Sequence, residues 1–210
     1  MSDLIPLTKV FIIESPSFKD ILDNRKEGLA LSKILDLAQI NNEVFAVSDI
    51  ETLEIALDRI ARNVLEIRKD LGMVQLHFSL HGSSEGIALS DNTFIDWNSF
   101  YVFIKKFNET IEYIKAPNGI LFAPTYLIFS VCNGFSAKII KEFDETTPYT
   151  ALIGPVEAIE WSDGLLAYST FYHNTILKKM GLPKAIENMN LVAGLENVFQ
   201  VDMGKGMKFK

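Results

Sequence analysis

Apolar residues in this chain follow two recurring patterns. Short unbroken runs of aliphatic and aromatic residues alternate with longer stretches whose apolar positions step by three and four. The first pattern reads as buried strand, the second as amphipathic helix. Val10–Ile13 is the first run, and Pro16 forbids its simple continuation. The polar loop from there to about Asn24 stands at the carboxyl end of a strand, in a position to line a site. Leu31, Ile34, Leu35 and Ala38 then share one helix face, and Glu43–Val47 is a short strand. Ser48-Asp49-Ile50-Glu51 has the form of a capping box, in which a hydroxyl and a carboxylate satisfy each other's backbone amides. It opens the clearest helix of the chain, with Leu53, Leu57, Ile60, Val64, Ile67 and Leu71 on one stripe and Gly72 as its stop.

The pattern continues to the end. Met73–Leu80 is a strand leading into His81-Gly82, and residues 86–95 read as a hairpin turning at Asp91-Asn92. Asp96 caps a helix through Trp97, Phe100 and Ile104. Residues 109–125 read as irregular, broken by Pro117-Asn118-Gly119 and Pro124. Tyr126–Val131 is a strand, and a helix follows from about Phe135 to Phe143. A strand at Ala151–Gly154, helices around 161–179 and 183–194, and a strand at Asn197–Val201 complete the chain. Strand and helix alternating end to end predict an α/β fold, a three-layer sandwich with a mostly parallel central sheet covered by helices on both faces. Composition never shifts as at a linker, so residues 1–210 are expected to form one domain.

Charge and cysteine usage narrow the function. Lys and Arg number 20 against 27 Asp and Glu, a net charge of −7, which disfavours a nucleic-acid backbone as partner because phosphate binding needs clustered cations. The one cysteine cannot form an internal disulfide. No N-terminal stretch has the form of a secretion signal, and no apolar run approaches the ~20 residues that span a bilayer. The chain therefore reads as cytoplasmic, without membrane association. Neither of the glycine-rich nucleotide-binding patterns occurs, and no cofactor or metal is expected.

Two residues stand out as candidate chemistry. His81 and Cys132 each stand where an apolar run breaks into a glycine turn, at Gly82 in one case and at Asn133-Gly134 in the other. Chemistry in open α/β sheets collects beyond the carboxyl ends of the strands. Two adjacent parallel strands would put imidazole and thiol side by side there, as a cysteine nucleophile and its base. Asn133-Gly134 lets the backbone turn and leaves the thiol uncovered, and the helix beyond favours thiolate. Gly82 permits close approach of substrate and offers an unobstructed amide to an oxyanion. The plainer reading of each residue alone is a small core cysteine and a turn histidine.

His81-Gly82 after one hydrophobic strand and Ser130-Val131-Cys132-Asn133-Gly134 after a later one, 51 residues on from histidine to cysteine, resemble the caspase-like cysteine peptidases. Gly154-Pro155, Trp161-Ser162-Asp163-Gly164 and Phe171-Tyr172 look like the bacterial members. The resemblance implies a cysteine endopeptidase with a caspase-like fold and no cofactor. In it Cys132 is the nucleophile, His81 acts on the proton of the leaving amine, and the amides of Gly82 and Cys132 hold the oxyanion. A protein or peptide substrate follows, with room for an activating or regulatory partner protein. Val131 and Asn133 flank the cysteine in place of the Gln-Ala-Cys-Arg-Gly form of caspases, so aspartate specificity is not implied. Glu157, Glu160 and Asp163 fall where the superfamily builds part of its substrate pocket. An acidic pocket would select Arg or Lys, whereas the plainer reading makes them solvated surface carboxylates. No third, acidic member of the catalytic set is nominated.

Three other readings remain open. Gly82-Ser83-Ser84-Glu85-Gly86 fits the G-x-S-x-G elbow of serine α/β-hydrolases, and Asp163 and His173 follow in the required order. That elbow needs a helix directly after Ser84, and the pattern here turns into a hairpin instead. A caspase-like docking or scaffold module without catalysis is the second alternative. Nucleotide binding is the third, and it lacks a motif. His77, mid-strand, reads as a hydrogen-bonded structural histidine rather than a metal ligand.

Overall fold

The computed structural model describes residues 8–67, 72–115, 119, 121–205 and 207. Val10–Ser15 forms β1, buried throughout, followed by a five-residue helix α1, Phe18–Leu22. Then come α2 (Glu27–Leu37), β2 (Asn42–Ala46), α3 (Ile50–Ile67) and β3 (Val74–Ser83). A hairpin of β4 (Gly86–Ala88) and β5 (Phe94–Asp96) leads to α4 (Trp97–Ile111). Short strands β6 (Ile114–Lys115) and β7 (Leu121–Phe122) precede β8 (Thr125–Ser130), and a 3-10 helix covers Gly134–Glu142. The chain ends with β9 (Ala151–Pro155), α5 (Trp161–Tyr172), α6 (Leu182–Val192) and β10 (Phe199–Met203).

The main sheet runs β10-β9-β8-β3-β1-β2, parallel except for the antiparallel edge strand β10. Its two faces bury different helices. Phe11, Ile13, Leu76, Phe78, Leu127 and Phe129 pack against the apolar stripes of α3 and α4. Val10, Ile12, Ile128 and Ile153 pack against α2, α5 and α6. This is the expected α/β layering, and its cause is visible in the sequence: strands buried on both faces need apolar residues at every position. On α3, Leu53, Leu57, Ile60 and Val64 are all buried; each such side chain stabilises the fold by about 1.5–3 kcal/mol. Among the described residues, no helix is long and apolar enough to cross a membrane.

Several local expectations are corrected. The box opening α3 is shifted by one residue, because the Asp49 carboxylate accepts the Thr52 amide at 2.8 Å and the Thr52 hydroxyl accepts the Asp49 amide at 3.1 Å. Asp49, a cap as good as serine, thus takes the role expected of Ser48. Leu71, assigned to the end of that stripe, lies outside the described residues, as do Pro117 and Asn118. Residues 109–125 are more regular than expected: α4 continues to Ile111, and β6 pairs with β7. Asp96 does cap α4, accepting the Ser99 amide at 2.7 Å.

Gly82 is not a turn. The strand β3 runs straight through it, pairing Gly82 with Ile87, and the chain reverses only at Ser84-Glu85. A Cβ on Gly82 would lie 2.3 Å from Val131 Cγ1 and 2.8 Å from the Gly86 carbonyl oxygen. Glycine is thus required there by the Val131 side chain and the backbone of the paired strand β4, rather than by a bend. Gly82→Ala is expected to destabilise the fold by about 1–3 kcal/mol, the usual cost of overpacking, read as a lower urea midpoint at unchanged slope.

Candidate active site

β3 and β8 are parallel neighbours whose register ends at Ser79 opposite Ser130. His81 follows two residues later on β3, and Cys132 two residues later, just past the end of β8. Both line one cavity of about 280 Å³ at that edge of the sheet, together with Ser17, Asp20, Arg25 and Trp161.

Asp20 is the residue that organises it. It sits at the third position of α1, where Ser17 and Asp20 form a capping box. Its side chain is 3% exposed, and Oδ2 lies 2.5 Å from His81 Nε2. Oδ2 also accepts the Ser17 hydroxyl at 2.5 Å and the Ser17 amide at 3.2 Å, while Arg25 Nη2 stands 3.1 Å from Oδ1. Burial pushes this carboxyl up, but the hydrogen bonds from Ser17 and His81 and the attraction of His81 outweigh it, and the net shift is below the usual carboxylate range. Asp20 is therefore an anion at neutral pH. An anionic acceptor fixes a proton on His81 Nε2, so Nδ1 is the nitrogen left to exchange a proton with other groups.

Cys132 is half-buried, and its thiol donates to the Ile159 carbonyl at 3.8 Å. The left-handed conformation of Asn133 (φ 58°) turns the chain immediately afterwards into the 3-10 helix. That turn is tied down by the Asn133 amide, which donates to the Glu157 carbonyl at 3.0 Å. A Cβ on Gly134 would lie 2.6 Å from Phe129 Cβ, so the chain doubles back closely on β8. The segment after β9 completes the opposite wall, with Ile159, Glu160 and Trp161. The Trp161 ring meets His81 edge-on, 5.3 Å between centroids at 74°.

The acidic candidates separate. Glu160 lines the cavity; Glu157 is exposed and Asp163 stands in the first turn of α5, both outside the lining. Lys19 and Arg25 stand on the other wall, so the rim is of mixed charge rather than acidic. His77 is fully buried and shares a 3.0 Å hydrogen bond between Nδ1 and the Tyr172 hydroxyl. Ser84 occupies the hairpin turn, its carbonyl accepting the Trp97 indole N–H at 2.8 Å, with strand β4 and no helix after it. His173 lies exposed beside a separate hollow between α2 and α5. The serine-elbow arrangement is therefore not assembled.

No protein-family model matches the chain, and no curated protein matches it. The site therefore has to be judged on its own geometry. The sequence nominates neither Asp20, Ser17 nor Arg25 for the site, and Trp161 enters there only through the family resemblance, with no role. Only Ser17 and Asp20 carried a local signal, the three-residue spacing of a capping box in a loop already marked as site-facing.

Proposed function

We propose that this protein is a cysteine endopeptidase of the caspase-like kind, acting on protein or peptide substrates through His81 and Cys132. The observation that carries the reading is the shared cavity. In-register strands β3 and β8 deliver the single thiol and an aspartate-bound imidazole to the same opening. In the mechanism, His81 takes the Cys132 thiol proton as the sulfur attacks the peptide carbonyl and forms the C–S bond, and gives it to the departing amine as the C–N bond breaks. Water then attacks the acyl-enzyme, His81 accepts its proton, and the C–S bond breaks to release the acid as the proton returns to the sulfur.

The anion formed at the carbonyl oxygen needs donors. The Cys132 amide has no backbone acceptor among the described residues. In a two-residue hairpin the pair beside the turn, Ser83 with Gly86, exchanges both hydrogen bonds. The next pair, Gly82 with Ile87, exchanges none. The Gly82 amide thus points away from β4 and supplies the second donor. Asp20 supplies the orienting carboxylate for the histidine.

A peptide probe carrying a thiol-directed electrophile tests the proposal against its serine and scaffold alternatives. Labelling of the wild type and of Ser84→Ala, with none in Cys132→Ala, is expected. Turnover lost only in Ser84→Ala would replace the reading with a serine hydrolase. No labelling and no turnover on any peptide would leave a docking module.

A further inference from the structure

Helix α5 carries one stripe that runs from the middle of the sheet to the proposed dyad. Trp161, Gly164, Tyr168 and Tyr172 are spaced by three, four and four residues and so share a helix face. Every member touches β3 or β8, the strands that lead to His81 and Cys132. Tyr172 holds His77 Nδ1 at 3.0 Å. The Tyr168 ring meets His77 edge-on at 4.8 Å, and its hydroxyl donates to the Phe129 carbonyl. At Gly164 the helix sits so close to β8 that a Cβ would lie 3.0 Å from Ser130 Oγ. Trp161 ends the stripe against His81. Both tyrosines are fully buried. Burial, reinforced by neighbouring groups including Glu27, holds their phenols well above the ordinary range, so both keep the protons these hydrogen bonds use.

We infer that Trp161 is a positioning residue for His81, and that α5, pinned to β3 and β8 by Tyr168 and Tyr172, fixes where Trp161 stands. This rests on the peptidase reading above. The His81 side chain is 43% exposed, and its one ring hydrogen bond among the described residues, to Asp20, anchors a single corner of the ring. A ring held at Nε2 alone still swings, and that swing moves Nδ1. The indole, packed against the imidazole from the α5 side, limits the swing. Its effect therefore falls on the chemical step more than on binding, since a misplacement of ~1 Å can cost on the order of 100-fold.

The test compares wild type, Trp161→Ala, Trp161→Phe and Tyr172→Phe in steady-state peptide cleavage and in imidazole nitrogen NMR. Trp161→Ala is expected to lower kcat about 10- to 100-fold with KM changed less than about threefold, and Trp161→Phe to restore most of it. Asp20 keeps the Nε2 proton in every variant, so the readout is ring motion: the His81 ring nitrogens should give sharp lines in wild type and Trp161→Phe, and exchange-broadened lines in Trp161→Ala. Tyr172→Phe, which removes only the hydroxyl on His77, should lower kcat by about threefold, non-additively with Trp161→Ala because both act through one helix. Unchanged kcat in Trp161→Ala overturns the inference. So does a rise in KM alone, which would make the indole a substrate wall. If the wild type cleaves no peptide, the peptidase reading falls, and an unaltered His81 spectrum in Trp161→Ala separately refutes the positioning role.

Discussion

Cys132→Ala is expected to lower kcat/KM on any cleaved peptide by roughly 10⁴-fold or more, the scale on which acyl-transfer sites lose activity when the nucleophile is removed. The chain has one cysteine, so no second thiol can substitute. In the proposed mechanism the Gly82 amide and the amide of residue 132 would still be offered to a carbonyl oxygen, with no nucleophile left to attack its carbon. Binding of uncleaved peptide should survive, because the cavity walls formed by Ile159, Trp161 and Arg25 are unaltered by the change. Steady-state cleavage and equilibrium binding of the same peptide separate the two effects. Loss of both would indicate that the substitution had disturbed the fold where Val131 packs against Gly82.

Asp20→Asn has the second largest expected effect. The amide keeps the size of the carboxylate but removes the charge that fixes the Nε2 proton, and it can present an N–H where His81 already presents one. A fall in kcat of about 10²- to 10⁴-fold is expected, by analogy with loss of the orienting acid in a triad. Stability should change as well, in a way that gives its own check. Asp20 has a lowered pKa in the folded protein. Its ionised form therefore stabilises the fold above the ordinary carboxylate range, and the contribution is lost as pH falls through its own, lower value. The difference in unfolding free energy between wild type and Asp20→Asn should be constant above about pH 5 and shrink below about pH 4. A difference that grew on acidification would mean that Asp20 is not the paired anion described here.

The sequence made the scaffold legible because buried parallel strands carry continuous apolar runs. β1, β3, β8 and β9 all lie where those runs lie, and their order follows from the alternation with helices. Gly82 was misread for a reason that has nothing to do with propensity. A glycine after a strand looks like a turn, and only the neighbouring strand's Val131 explains why one is needed there. The box opening α3 was ambiguous because Ser48 and Asp49 each have a suitable partner three residues on. His81 and Cys132 could be named because each stands at a visible strand end beside glycine. Asp20 could not be given its role, since its partner His81 is 61 residues away and no local pattern encodes that contact. The same holds for Trp161, whose helix meets His81 only through the packing of α5 on the sheet. Glu157, Glu160 and Asp163 looked equivalent in sequence, and the path of the chain after β9 brings only Glu160 to the cavity.

In the proposed mechanism the imidazole of His81 and the sulfur of Cys132 act on one another across a shared opening. The rate at which iodoacetamide alkylates Cys132 at neutral pH, in wild type and in His81→Ala, tests it without any knowledge of the natural substrate. His81→Ala is expected to react at least about tenfold more slowly, because the thiolate is the reacting form and the imidazole promotes it. Equal rates in the two proteins would contradict it.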